Sequence, residues 1–126
     1  MGMGKAGGTI AIIDDDPGMG RAIERLCHAA DLPSRYYTSA EDYLESGDLS
    51  LTAGLVLDIH LPGMSGFQLD EWLKQHDISI PTVFITGHDQ AHLHETALRA
   101  GAVAVFHKPF QGGELLGVVR RFFDGP

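Results

Sequence analysis

Short, continuously apolar runs alternate five times with longer segments of helical period, and this rhythm restricts the chain to strand-helix units repeated around a parallel sheet. Thr9-Ile-Ala-Ile-Ile13, the first run, is apolar throughout, as a strand covered on both faces must be. Asp16-Pro17 then opens a helix, Asp as N-cap and Pro in the first turn, with Ile23, Leu26, Cys27 and Ala30 as its inward stripe. Ser34-Arg-Tyr-Tyr37 is a weaker second strand before a short helix that Thr38 or Ser39 can cap and Gly47 stops. The third strand is expected at Gly54-Leu-Val-Leu57, followed by a Pro- and Gly-containing loop and a helix that starts with the capping box Ser65-Gly-Phe-Gln68. Thr82-Val-Phe-Ile85 and Ala102-Val-Ala-Val-Phe106 supply the fourth and fifth strands, with Gly101 as a helix stop between them. At 126 residues the chain suits one domain. The expected fold is α/β, a doubly wound (βα)5 sheet of five parallel strands.

Strand ends matter in such a fold, because ligands bind outside the carboxyl ends of the strands at a topological switch point. Asp14, Asp15 and Asp16 follow the first strand, Asp58 the third, Thr86 the fourth and Lys108 the fifth. In the flavodoxin-like order 2-1-3-4-5 the first and third strands are neighbours, so their acids converge. Gathered carboxylates repel one another and are costly to desolvate, so the arrangement calls for a cation. Magnesium suits it, a hard ion that takes carboxylate and phosphate oxygens. Lys108 and the Thr86 hydroxyl suit an incoming anion. Together these groups make a phosphoryl-transfer site with Asp58 as nucleophile and Asp16 kept as a helix cap.

The four segments Ile13-Asp-Asp-Asp-Pro17, Leu57-Asp-Ile-His-Leu-Pro-Gly-Met-Ser-Gly66, Phe84-Ile-Thr-Gly-His88 and Lys108-Pro-Phe110 resemble the motifs of response-regulator receiver domains of two-component signalling. The resemblance implies a phosphorelay receiver that takes a phosphoryl group from a phosphohistidine onto Asp58 and then changes its affinity for an output partner. It is a signalling domain that catalyses its own phosphorylation and dephosphorylation. It also implies a magnesium (or manganese) site in which Asp14 and Asp15 are the acidic pair and Asp15, Asp58 and the backbone carbonyl of His60 are ligands. Thr86 follows the phosphoryl group, Lys108 pairs with it, and a cis bond precedes Pro109. The implied partners are a sensor histidine kinase or histidine phosphotransfer protein, and an output domain or protein met by the face of the fourth helix, fifth strand and fifth helix. The resemblance leaves room for dimerisation on phosphorylation. The wording Thr86-Gly-His88 and Gly101-Ala-Val103 is similar to receivers attached to LuxR-type DNA-binding domains. One position departs: three residues before Lys108, where receivers carry an aromatic switch residue, stands Val105, while Phe106 points to the opposite sheet face. The receiver domain is expected over 9–124, with 1–8 as a disordered or vector-derived tail.

Other readings of the residues stand beside this one. A small phosphatase using Asp58 on a metabolite would need a second acid for the leaving group, where Asp58-Ile-His60 offers histidine. A flavodoxin-like ligand binder would bring a flavin phosphate against the acid cluster. His88, His92 and His94 have the spacing of a zinc site but no cysteine to complete it. His60 and His88, two residues beyond Asp58 and Thr86, are candidates to tune the lifetime of a phosphoryl group. Cys27 stands alone, which rules out an intrachain disulfide, and its place on the inward stripe suggests packing. A formal charge of −8 opposes nucleic-acid binding by this domain through phosphate neutralisation. No run approaches the roughly 18 apolar residues of a membrane span, and a cytoplasmic location is expected.

Overall fold

A computed structural model describes residues 8–87, 90 and 92–124. Its strands are β1 (Thr9–Ile13), β2 (Ser34–Tyr37), β3 (Thr52–Asp58), β4 (Thr82–Thr86) and β5 (Ala104–His107), all parallel in the order β2-β1-β3-β4-β5. The helices are α1 (Pro17–Ala29), α2 (Ala40–Ser46), α3 (Gly66–Gln75), α4 (Leu93–Arg99) and α5 (Gly112–Val119), with short 3-10 turns at Leu49–Leu51 and Arg120–Phe123. The order 2-1-3-4-5 is the flavodoxin-like one in which the ends of the first and third strands meet.

Each strand is apolar on both sides because helices cover both. Ile10 and Ile12 of β1 face one layer with Ile23 and Cys27 of α1 and Leu115 and Val119 of α5. Ala11 and Ile13 face the other, with Tyr43 of α2, Leu69 and Leu73 of α3 and Ala97 of α4. Cys27 is fully buried in the first layer, and burial pushes its thiol up to about 11, so it is a packing residue and an inert one.

The helix signals act as the sequence indicates. Asp16 accepts from the Gly18 amide, Ser39 accepts from Asp42, and Ser65 and Gln68 close a reciprocal capping box. Three helices end in the same turn, in which the amide two residues past the cap reaches back to an earlier carbonyl: Leu32 to Cys27, Ile78 to Leu73 and Ala102 to Ala97. Gly101 takes the left-handed position of the last turn at φ 93°, but Asp31 and Asp77 take it in the other two, at φ 61° and 57°.

Strand boundaries differ from expectation in β3, β4 and β5, and β3 and β4 each run one residue further, to Asp58 and Thr86. β3 begins two residues earlier than Gly54, which lies inside the strand because a Cβ there would stand 2.1 Å from the Phe122 ring packed across it. β5 begins two residues later than Ala102, because that residue still belongs to the closing turn of α4, and it extends one residue further to His107.

Candidate functional site

The site lies where β1 and β3 run side by side and end together. Ile13 pairs with Leu57, so the next residues, Asp14 and Asp58, emerge beside each other at the sheet's carboxyl edge. Both are buried, at 1% and 6% exposure, whereas Asp15 is exposed. A carboxylate oxygen from each of Asp14, Asp15 and Asp58 falls within 4.8 Å of the others.

Backbone amides fix the carboxylates. Asp14 Oδ1 accepts from the Asp16 amide at 2.9 Å, and Asp58 Oδ1 accepts from the His60 amide at 2.9 Å. Their free oxygens share one cation: Lys108 Nζ stands 3.3 Å from Asp14 Oδ2 and 3.1 Å from Asp58 Oδ2. Lys108 reaches them because its own amide bonds to the Thr86 carbonyl at 2.8 Å, just before the cis Lys108-Pro109 bond turns the chain away. Thr86, the last residue of β4, is fully buried, and among the described residues its hydroxyl makes only a long contact of 3.4 Å to the Gly87 carbonyl.

The electrostatics show an overloaded cleft. Burial, joined by the neighbouring Asp58 charge, raises the Asp14 carboxyl from 3.8 to about 6 despite the Asp16 amide and Lys108. For Lys108, burial pulls the ammonium down, but Asp58 and then Asp14 outweigh it and hold its pKa above the ordinary value. One lysine thus serves two buried carboxylates with a third alongside. Three hard oxygen donors, two of them desolvated and incompletely neutralised, fit a small divalent cation such as magnesium. Among the described residues, His92 and His94 join no comparable group of three. His88 lies outside the described residues, and so do residues 1–7 of the expected tail.

Three supports have no local signal in the sequence. The Tyr36 hydroxyl, from β2, donates to the Asp14 carbonyl at 2.7 Å. Gly66 lies so close under the end of β3 that a Cβ would stand 2.4 Å from the Asp58 carbonyl oxygen. Glu41, on α2, accepts the Met64 amide at 2.7 Å, and that bond lowers its pKa. The carboxylate therefore pins the loop that follows Asp58. Its place on a polar helix face would suggest only solvation.

Val105 and Phe106 do face opposite layers, Val105 toward α4 and Phe106 toward α5. Below Val105 on the same side, His107 meets His94 of α4 at 2.9 Å, a pairing between side chains 13 residues apart that no motif announces.

Comparison with known proteins agrees with this geometry. Residues 10–120 match the family model for the response regulator receiver domain. Response regulator protein TodT of Pseudomonas putida is 37% identical over 112 residues, 89% of this chain and 49% of TodT. The chain thus spans about half the length of TodT, and likewise of Nodulation protein W of Bradyrhizobium diazoefficiens. Among solved structures, response regulator StyR superposes with a TM-score of 0.85 at 32% identity, covering 94% of this chain and 60% of that one. A response regulator receiver protein from Burkholderia phymatum gives 0.79 at 33%, covering 94% and 98%.

Proposed function

The chain belongs to the response regulator receiver domain family, and from that premise we propose that it is a cytoplasmic phosphorelay receiver, accepting a phosphoryl group on Asp58 from a phosphohistidine partner. The observation that carries this reading is the placement of Asp58: a buried carboxylate at a strand end, one oxygen held by a backbone amide and the other by Lys108. The receiver unit is taken as 9–124, and the donor as a sensor histidine kinase or histidine phosphotransfer protein.

Asp58 Oδ2 is the nucleophile. Its partner Oδ1 is fixed by the His60 amide, while Oδ2 is held only by a long side chain that can swing away. Oδ2 attacks the phosphorus of phosphohistidine, the P–N bond breaks, and its electron pair leaves with the imidazole, which takes up a proton. An acyl phosphate remains on Asp58. Lys108 moves with the charge from Oδ2 to a phosphoryl oxygen, and the Thr86 hydroxyl, which holds only its long contact to Gly87, turns to donate to another. Asp14, Asp15, Asp58 and the His60 carbonyl would hold a magnesium or manganese ion. When bound, that ion neutralises charge on the transferring group. Hydrolysis by water returns Asp58 to its free carboxylate.

Switching follows from the same contacts. Lys108 and Thr86 sit at the ends of β5 and β4, so drawing both toward a phosphoryl group shifts the side of the sheet on which α4 packs. That face exposes Leu98 and Val103, at 44% and 47%, and serves as the surface for an output domain or partner.

The test is incubation with acetyl phosphate, with and without magnesium, read by intact mass. The expected result is one magnesium-dependent phosphate on the wild type and none on Asp58→Asn. Equal gain by both proteins would remove Asp58 from its role.

A further inference from the structure

We propose that His94 and His107 form a proton-operated latch between α4 and β5, closed while the pair carries at most one extra proton and opened when both rings are protonated. The geometry decides what kind of contact this is. His94 Nδ1 and His107 Nε2 lie 2.9 Å apart, the ring planes differ by 7°, and the ring centres are 5.1 Å apart. Parallel planes whose nearest nitrogens are 2.9 Å apart are too close for overlapping faces, which need about 3.5 Å. The rings therefore meet edge to edge, nearly in one plane, with a single hydrogen position on the line between two nitrogens.

Counting protons on that line gives the switch. With both rings neutral, one N–H donates and the other nitrogen accepts. One added proton makes the donor an imidazolium and the bond charge-assisted, so the latch tightens. A second added proton puts an N–H on each facing nitrogen and a positive charge on each ring. Neither ring can then accept, and the pair must part. Histidine is the side chain that gains and loses its charge nearest neutral pH, so a proton count is the natural control on such a pair.

The surrounding charges do not lock the pair. On α4, Glu95 and Arg99 are exposed and His92, the cap residue, is exposed too. After β5 comes Lys108, whose ammonium is turned to Asp14 and Asp58. β4 places uncharged Thr86 opposite His107. α3 reaches α4 at its far end, where Lys74, paired with Asp70 at 2.8 Å, donates to the Ala100 carbonyl. Among the described residues, no ion pair includes either imidazole.

α4 needs such a fastening. It has seven residues, its N-cap makes no side-chain hydrogen bond, and Ala97 is its one buried residue. His107 is backbone-paired with Thr86 and directly precedes Lys108, so the latch ties the helix to the strand that carries the lysine. Where Val105 offers no aromatic ring, this pair supplies the polar link between the sheet and α4.

The test needs no phosphoryl chemistry, so it is independent of the function proposed for Asp58. Histidine ring nitrogens are followed by NMR from pH 8 to 4.5 in the full chain, with amide hydrogen exchange of α4 measured alongside. Two coupled titration steps are expected in the wild type, against a single step for His107 in His94→Gln and for His94 in His107→Gln. Opening of α4, corrected for intrinsic exchange, is expected to rise roughly tenfold in the wild type below the second step and to be pH-independent in both variants. Two uncoupled steps in the wild type, unchanged by replacing the other histidine, would overturn the latch. So would an acid-induced opening of α4 that persists in both single variants.

Discussion

Asp14→Asn separates what the acid cluster does for function from what it costs the fold. The aspartate side chain is buried, and that burial, with Asp58 nearby, raises its pKa from 3.8 to about 6. The folded protein therefore binds this proton more tightly than the unfolded chain does. Stability linked to Asp14 is complete below about pH 4 and is lost as pH rises through about 6, leaving a destabilising charge at neutral pH. A displacement of about two pH units corresponds to about 3 kcal/mol. The amide keeps the bond from the Asp16 amide but loses the Lys108 contact, and that loss offsets part of the gain. The net gain expected for Asn is then about 1–2 kcal/mol.

Urea unfolding in EDTA measures this directly. With a slope of about 1.5–2 kcal/mol per molar, the midpoint of Asp14→Asn should lie about 0.5–1.3 M above the wild type at pH 8. The gap should close as pH falls from 6 toward 4, where the folded carboxyl is protonated and the unfolded one begins to be. A saturating divalent cation should reverse the order, since ligand at 100 times its Kd adds about 2.7 kcal/mol to the protein that binds it. The reasoning is refuted by a variant no more stable than the wild type at pH 8 in EDTA, or by a gain of equal size at pH 8 and pH 4.5.

Lys108→Ala should still accept phosphate from acetyl phosphate but bind its output partner equally well before and after, as titration calorimetry would show. Without the cation shared by two buried carboxylates, it should also be about 3 kcal/mol less stable in EDTA at pH 8. Gly66→Ala pushes a methyl against the Asp58 carbonyl and the Ile59 Cα, both backbone, and should cost about 2 kcal/mol in urea. The same variant should slow labelling of Asp58 in a mass-resolved time course. Asp77→Gly relieves a left-handed residue at φ 57° and should raise stability by about 0.5–1 kcal/mol in thermal unfolding with labelling unchanged.

What the sequence discloses and what it conceals divide along a physical line. The five strands, the capped starts of α1, α2 and α3 and the residues that stand at strand ends are legible because each depends on local pattern, and the meeting of Asp14 with Asp58 follows once the order 2-1-3-4-5 is taken. The start of β5 escapes because Ala102, an apolar residue in an apolar run, is claimed by the closing turn of α4. Gly54 escapes because its reason for being glycine is Phe122, far along the chain. Asp77 conceals the end of α3, since the left-handed position it fills usually belongs to glycine. At the site the same division holds. The candidate site residues stand at strand ends and can be read there, but Tyr36, Glu41 and Gly66 act on backbone atoms of other elements, and side-chain-to-backbone contacts over such distances leave no periodicity to read.

That division bears on how a signal leaves the site. Lys108 and Thr86 can follow a phosphoryl group only if their strands move against something that holds α4 in place, and apolar packing holds that helix by Ala97 alone as a buried residue. In receivers with an aromatic ring at the position of Val105, a rotating ring can carry the motion outward. Here the side chains that β5 sends toward α4 are Val105, which has no ring to turn, and His107, which is hydrogen-bonded to the helix itself. Any displacement of β5 on phosphorylation must therefore either drag α4 with it or break the imidazole pair. The first outcome moves the exposed Leu98 as one body with the strand, and the second frees it. Comparing α4 exchange in phosphorylated wild type and His94→Gln decides between them: equal protection in the two means the pair had already parted, and higher protection in the wild type means the helix travels with the sheet.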